Sequence, residues 1–299
     1  MPQSIKAFII GAQKCGTTSL LNYTSEHPDI LGHNQVEMSY FSDDAEYKKG
    51  YEEAWTRYYN SSNVNNIVVV AKNAHIYSNE KAIERLYNHN PKCKLLFIVR
   101  NPVDRAYSSY LMEKNVWGES GSFDELIIQS LKTKDDWRYR VYLELGIYHH
   151  HLKRISKYFK NNIIVIKLDD LKEMPEKTVK YIYYELNVDD SFTPDLNKSY
   201  NVTNKVRSEW YAKKSAKMLR EDFYLKKVLK SILNDSITYK LGQYLRNINR
   251  KKEAHEPMDP NTREKLVEFF RPHNARLSGM LNMDLSCWDN LEMFPISNE

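Results

Sequence analysis

The chain has 299 residues, of which 41% are apolar, 28% charged and 12% aromatic, enough apolar material for a sizeable core and too much for a disordered polymer. Its formal charge is only +5 and it lacks the long basic stripe that grips nucleic acid, so a small anionic ligand suffices to account for the balance. Three widely spaced cysteines, Cys15, Cys93 and Cys287, fit neither a disulfide framework nor a zinc site, and no stretch approaches about eighteen consecutive apolar residues; the expectation is a cytoplasmic protein with neither nucleic acid nor membrane as partner.

In chain order, the apolar run at 7–10 predicts a first strand, which enters the turn "GAQKCGTT" at 11–18 and then a helix over 16–27. Further β-branched runs predict strands at 66–72, 93–100 and 162–168. A helix is expected from Pro102, which suits a first turn because the N–H it lacks would be orphaned there anyway. Continuous apolar strands alternating with helices imply a parallel sheet covered on both faces. From about residue 196 the texture changes to a polar loop, "NKSYNVTNK", then to amphipathic helical patterns through about 247 and from 260 to 280, with a solvated charged link at 249–257. The strand and helix pattern therefore gives an α/β fold in three layers, a central parallel β-sheet flanked by helices plus a C-terminal helical region, and the glycine-bounded turn at 11–18, Gly11 and Gly16 four residues apart, makes the expectation P-loop-like. The whole chain, 1–299, is expected to form one domain, with 1–195 as the nucleotide-binding core and 196–299 mainly helical.

The first turn nearly spells the Walker phosphate loop, since Gly11 and Gly16 are four residues apart and Thr18 holds the Ser/Thr place. Thr17, however, stands where the lysine belongs, and the nearest lysine, Lys14, lies inside the loop. A glycine turn opening a helix aims backbone N–H groups and the positive end of the helix dipole at one point, which binds an anion. Cys15, Gly16, Thr17 and Thr18 line that turn. A second anion site is written in "FIVRNPVDRAYSSYL" at 97–111, where a strand delivers Arg100 at its carboxyl end and Ser108 follows on the next helix. An arginine fork with a hydroxyl suits a phosphate monoester.

These residues resemble the sulfotransferases that use 3′-phosphoadenosine 5′-phosphosulfate (PAPS). The loop with Lys14 is similar to their 5′-phosphosulfate loop, where a lysine meets the bridging oxygen of the leaving phosphate. "RNPVDRAYS" is similar to their 3′-phosphate motif, with Arg100 and Ser108 on the ligand positions; Arg105 matches the motif as well, and the alternative for it is to brace the loop through a carboxylate. "KNAHIY" at 72–77 and the C-terminal segment from 258 resemble heparan sulfate and bacterial members; 112–140 and 209–255 match least. The resemblance implies in-line transfer of a sulfuryl group from PAPS to a hydroxyl or nitrogen of a small-molecule or carbohydrate acceptor, releasing PAP and requiring no metal.

It also implies roles on the acceptor side. Glu37 in "NQVEMSYF" takes the place of the family's general base, although Ser39 and Val36 depart from the family's usual histidine and lysine; the alternative is a loop carboxylate held by Lys14 or Lys72. Lys72 matches the lysine near the transferring sulfonate. His75 is a second candidate base, and Arg207 resembles a basic residue of a loop that closes over the nucleotide. A small neutral or cationic acceptor is expected to enter past Glu37 and the tyrosines around 40–59. The run His149–His151 is set aside as a metal site, because consecutive helical residues diverge by about 100°. The competing readings are a magnesium-dependent P-loop kinase, which Thr17 opposes, and a non-catalytic nucleotide-binding protein of the same fold.

Overall fold

The computed structural model describes residues 2–59, 67–196, 205–206, 250–251 and 257–291. Two compact units form, the first from Met1–Arg105, Leu145–Asn201 and Glu268–Asn290, the second from Ala106–Glu144, Val202–Val267 and Leu291–Glu299. The helical patterns expected between about 207 and 247 lie outside the described residues.

The first unit is built on a five-stranded parallel sheet: β1 (Ala7–Gly11), β2 (Ile30–Gly32), β3 (Val68–Lys72), β4 (Lys94–Val99) and β5 (Ile163–Lys167), in the order β2-β3-β1-β4-β5. All five residues of β1 are buried, as a central strand with helices on both faces requires. The connecting helices are α1 (Thr17–Ser25), α2 (Asp44–Lys48), α3 (Tyr51–Tyr58), α4 (Glu80–His89), α5 (Pro102–Met112), α7 (Tyr148–Phe159), α8 (Leu168–Glu173) and α9 (Pro175–Leu186), with α6 (Phe123–Lys132) in the second unit. Phe8, Ile9, Val70, Leu96, Ile98, Ile155 and Ile182 are fully buried in one continuous core.

The chain leaves β1 toward β3 on one side and later returns to β4 on the other, so the strand order reverses at β1. Ligands of open α/β sheets bind at such a reversal, outside the carboxyl ends of the strands. Register brings those ends together: Ile9 is level with Lys72 on β3, and Gly11 with Phe97 on β4. Four strands lie where the apolar runs put them; β2, only three residues long, was not expected, because its place depends on pairing with β3.

In the second unit, α6 opens with a capping box in which Ser122 and Glu125 each accept the other's backbone N–H. Lys205–Val206 pairs antiparallel with Arg250–Lys251, forming β6 and β7. The segment expected to be a plain charged link therefore contains a strand. The final helix, α10 (Pro260–Leu281), matches the periodic pattern at 260–280 and continues through Pro272.

Candidate active site

The turn after β1 is shaped by backbone constraints. Gly16 caps α1 with φ of 80°, in the left-handed region that costs glycine nothing. A Cβ there would also lie 2.8 Å from Leu168 Cδ1. Gly11 lets the Tyr77 ring pack against the strand end, where any side chain would collide with it. Lys14 itself has φ of 67°, a conformation that an L-residue with a Cβ holds only under surrounding constraint. Gly16 offers no side-chain cap to α1, and a helix start of this kind is where backbone N–H groups take an anion.

Arg100 follows β4 directly and straps this turn. Its Nη1 donates to the Lys14 carbonyl at 3.4 Å, while its own carbonyl accepts from the Tyr148 hydroxyl at 2.9 Å. The Cys15 thiol is fully buried, 3.7 Å from that hydroxyl, and the Cys15 N–H donates to Ala12 O. Cys15 thus faces inward and helps set the turn rather than presenting a donor to a ligand. Burial pushes its thiol up, opposed by the Tyr148 contact and by the charges of Arg100, Arg105 and Lys14. Arg105 is wholly buried. Ser108 lies half-buried on α5 in the second unit. Arg207 lies outside the described residues.

Opposite the turn, Glu37 and Lys72 form one hydrogen-bonded chain. Lys72, 1% exposed, donates from Nζ to Glu37 Oε1 at 2.8 Å and to Thr18 Oγ1 at 3.2 Å. Glu37 Oε2 accepts the Ala74 N–H at 2.9 Å. The loop after β2 is laced to the end of β3 by Met38 N–H to Lys72 O, 2.7 Å, and by Asn73 Nδ2 to Met38 O, 3.1 Å. Of the two lysines considered for holding Glu37, Lys72 makes the contact. His75 is exposed. Tyr40, Tyr58 and Tyr59 are buried, and Tyr47 and Tyr51 pack against the core; these rings support the loop and do not wall an acceptor path.

Three positioning residues escaped the sequence reading: Tyr148, Asn73 and His33. Each bonds a residue distant in sequence, and of the three only Asn73 falls within a quoted motif, "KNAHIY". His33 Nε2 accepts the Lys72 N–H at 3.0 Å, which places the neutral ring's proton on Nδ1. Burial, then the Lys72 charge, lower the His33 pKa from 6.5 to about 4. Between those values the unfolded chain binds a proton that the native one refuses, so stability should fall as pH drops from 6.5 toward 4. The contribution is on the order of 3 kcal/mol. His33→Gln, whose amide oxygen still accepts from Lys72, should flatten part of that slope in urea unfolding at pH 7.5, 5.5 and 4.5. His89, His149 and His273, lowered in the same direction, add to it. An identical slope in both proteins would remove His33 from the account.

The site therefore joins an uncapped helix start, a loop lysine and a strand-end arginine to a carboxylate paired with a buried lysine. The sulfotransferase domain family matches residues 4–255. The chain belongs to this family. Heparan sulfate glucosamine 3-O-sulfotransferase 5 of Mus musculus is 27% identical over 276 residues, covering 91% of this chain and 70% of that protein. Bifunctional heparan sulfate N-deacetylase/N-sulfotransferase 4 of Mus musculus is 26% identical over 287 residues, covering 93% of this chain and 30% of that protein. The crystal structure of a sulfotransferase from Alicyclobacillus acidocaldarius shares the fold, with a TM-score of 0.67 at 24% identity over 97% of this chain and 100% of that one. The enzyme is a PAPS-dependent sulfotransferase, which sets aside the kinase and the non-catalytic readings.

Proposed function

We propose that Glu37 is the general base of sulfuryl transfer and that Lys14 and Lys72 stabilise the charge that moves during it. The observation that carries this reading is the Lys72 ammonium, which bridges Glu37 Oε1 and Thr18 Oγ1 and so ties the acceptor loop to the start of α1. The donor set suits PAPS: N–H groups of Gly16, Thr17 and Thr18 with the Lys14 ammonium for the 5′-phosphosulfate, and the Arg100 fork for the 3′-phosphate. Ser108, two turns along α5, is a further 3′-phosphate ligand on the strength of its place in the sequence, and Arg207 a closing contact on the same ground.

PAPS supplies an electrophilic sulfur bonded to a good leaving group, the 5′-phosphate. Glu37 takes the acceptor proton as the acceptor oxygen or nitrogen bonds to sulfur. The electron pair of the breaking S–O bond passes to the phosphate oxygen, whose new charge Lys14 meets. Lys72 neutralises charge on the sulfonate oxygens in between. His75 is the alternative base, within the same segment but turned to solvent.

A carbohydrate hydroxyl or amine is the acceptor class that the names of the relatives support, and a small neutral or cationic acceptor is the alternative. Offering both classes with PAPS and reading products by mass for an added sulfonate decides between them. We also propose that the chain works in the cytoplasm, supported by its three unpaired cysteines, and that the chemical step needs no magnesium because Lys14 and the turn N–H groups do that cation's work. Turnover unchanged by adding or withholding magnesium is the expected result; dependence on it would defeat the assignment.

Arg100→Ala tests the nucleotide end. PAP binding should weaken by about 1.5 to 3 kcal/mol, the scale of a hydrogen bond to a charged group, measured by calorimetry. Adenosine 5′-phosphosulfate, which lacks the 3′-phosphate, should bind the unaltered enzyme poorly. Equal affinity for it and for PAPS would overturn the role of Arg100.

A further inference from the structure

We propose that His149, His150 and His273 form a binding site for a divalent transition-metal ion, of the zinc, cobalt, nickel or copper class, within the first unit and separate from the sulfuryl-transfer site. One ligand nitrogen from each of the three rings can be chosen so that all lie within 4.8 Å of one another. His149 Nε2 and His273 Nδ1 are already 3.0 Å apart. Two imidazole nitrogens on one tetrahedral ion, at Zn–N of about 2.0–2.1 Å, stand about 3.3 Å apart. The two buried or half-buried ligands thus already stand near coordination spacing and need mainly a rotation of the rings to turn both lone pairs onto one ion, and exposed His150 has the freedom to close the third bond.

The set is not the histidine run of the sequence. His151 turns the other way, buried with its ring 4.8 Å from that of Tyr77 and its Nδ1 3.2 Å from Arg154 Nη2. Its place is taken by His273, from α10, which follows Pro272. The angular argument holds for His151; His149 and His150 are consecutive too, yet their side chains bring the ring centroids to 4.2 Å, and the third ligand comes from another helix.

The chemistry suits borderline metals. Three imidazoles with no carboxylate select zinc, copper, nickel or cobalt over magnesium or calcium, whose preferred ligands are oxygen. One of the two facing nitrogens carries the proton of their hydrogen bond; on metal binding that neutral ring takes its other tautomer, its proton moves to its second nitrogen, and both facing nitrogens are then open to ligate. Burial keeps both rings neutral near pH 7, the form that ligates, with His149 lowered to about 4. Arg276 and Lys153 add positive charge nearby and set the site against the tightest class of affinity. An ion here would clip the first turn of α7 to α10. Tyr148, next to His149, holds the carbonyl of Arg100, so the clip would also steady the strand end beside the nucleotide turn.

The test is titration of the tag-free full chain with cobalt(II) chloride, followed by visible absorption, and with zinc chloride, followed by thermal unfolding. One cobalt equivalent should give d–d bands without a thiolate charge-transfer band, zinc should displace it, and zinc should raise the unfolding temperature. His150→Ala, at an exposed position that does not threaten the fold, should weaken cobalt binding at least tenfold, and His273→Gln should do the same. Cys287→Ser should change nothing. Absence of binding at submillimolar cobalt, or affinity unchanged in both histidine variants, would overturn the proposal; so would a thiolate band lost in Cys287→Ser.

Discussion

Replacing Glu37 by glutamine is expected to lower turnover of a hydroxyl acceptor by about 10² to 10⁴, the usual contribution of a positioned base, while PAP affinity changes little. The structure adds a second consequence. Both carboxylate oxygens are acceptors, one for the Lys72 ammonium at 2.8 Å and one for the Ala74 N–H at 2.9 Å. A glutamine amide offers only one acceptor, so its NH2 must face one of those donors. Lys72, 1% exposed, would then keep its charge without its carboxylate, which is costly for a buried ammonium. Stability should therefore drop along with rate.

A control is needed to separate the two losses, and the acceptor provides it. A nitrogen nucleophile that is already unprotonated needs no base, so Glu37→Gln should be mild with such an amine and severe with a hydroxyl. A merely structural role would slow both acceptors alike. Full rate with a hydroxyl in Glu37→Gln, together with loss of activity in His75→Ala, would transfer the role to His75.

Those residues differ in how far the sequence announces them. Arg100 is legible because it follows directly from an apolar run, Lys14 because it lies in the glycine turn after one, and Lys72, at the end of β3, through the family resemblance; strand ends at an order reversal are where anions bind. The strands themselves are legible for the same reason: a fully buried parallel strand leaves an unbroken apolar run. β2 is not, since three residues carry too little pattern and its position comes from pairing with β3. The hold on Glu37 depends on that pairing, because Lys72 and Ala74 reach it only once the loop after β2 lies along the end of β3. His33 and Tyr148 fail for a related reason: each bonds a backbone group distant in sequence, 39 residues away for His33 and 48 for Tyr148. The tyrosines of 40–59 mislead in the opposite sense, looking like an acceptor wall when aromatic packing carries them inward. His273 stands 124 residues from its partner His149, a separation no helical-wheel argument spans.

Lys14→Ala is expected to lower turnover by about 3 kcal/mol, the scale of losing one donor to charge that develops in the transition state, and to loosen PAP as well. Lys14 holds φ of 67°, and alanine meets the same Cβ hindrance there as lysine, so the backbone strain of the turn is carried over rather than relieved. Its carbonyl, the acceptor for Arg100 Nη1, also remains. What is removed is the ammonium. Because that charge faces the 5′-phosphate both before and after the sulfonate leaves, its loss should appear in the PAP dissociation constant and, more strongly, in kcat, since the phosphate gains charge as the S–O bond breaks. Arg100→Ala should divide the other way, weakening PAP and raising the KM for PAPS while leaving kcat at saturating PAPS nearly intact, because the 3′-phosphate charge does not change during the reaction. Single-turnover rates at saturating PAPS, with PAP binding measured on the same preparations, give both quantities. If Lys14→Ala changed only binding and Arg100→Ala removed the rate, the charge on the leaving group would be met by Arg100, and the relocated lysine would be a ground-state anchor.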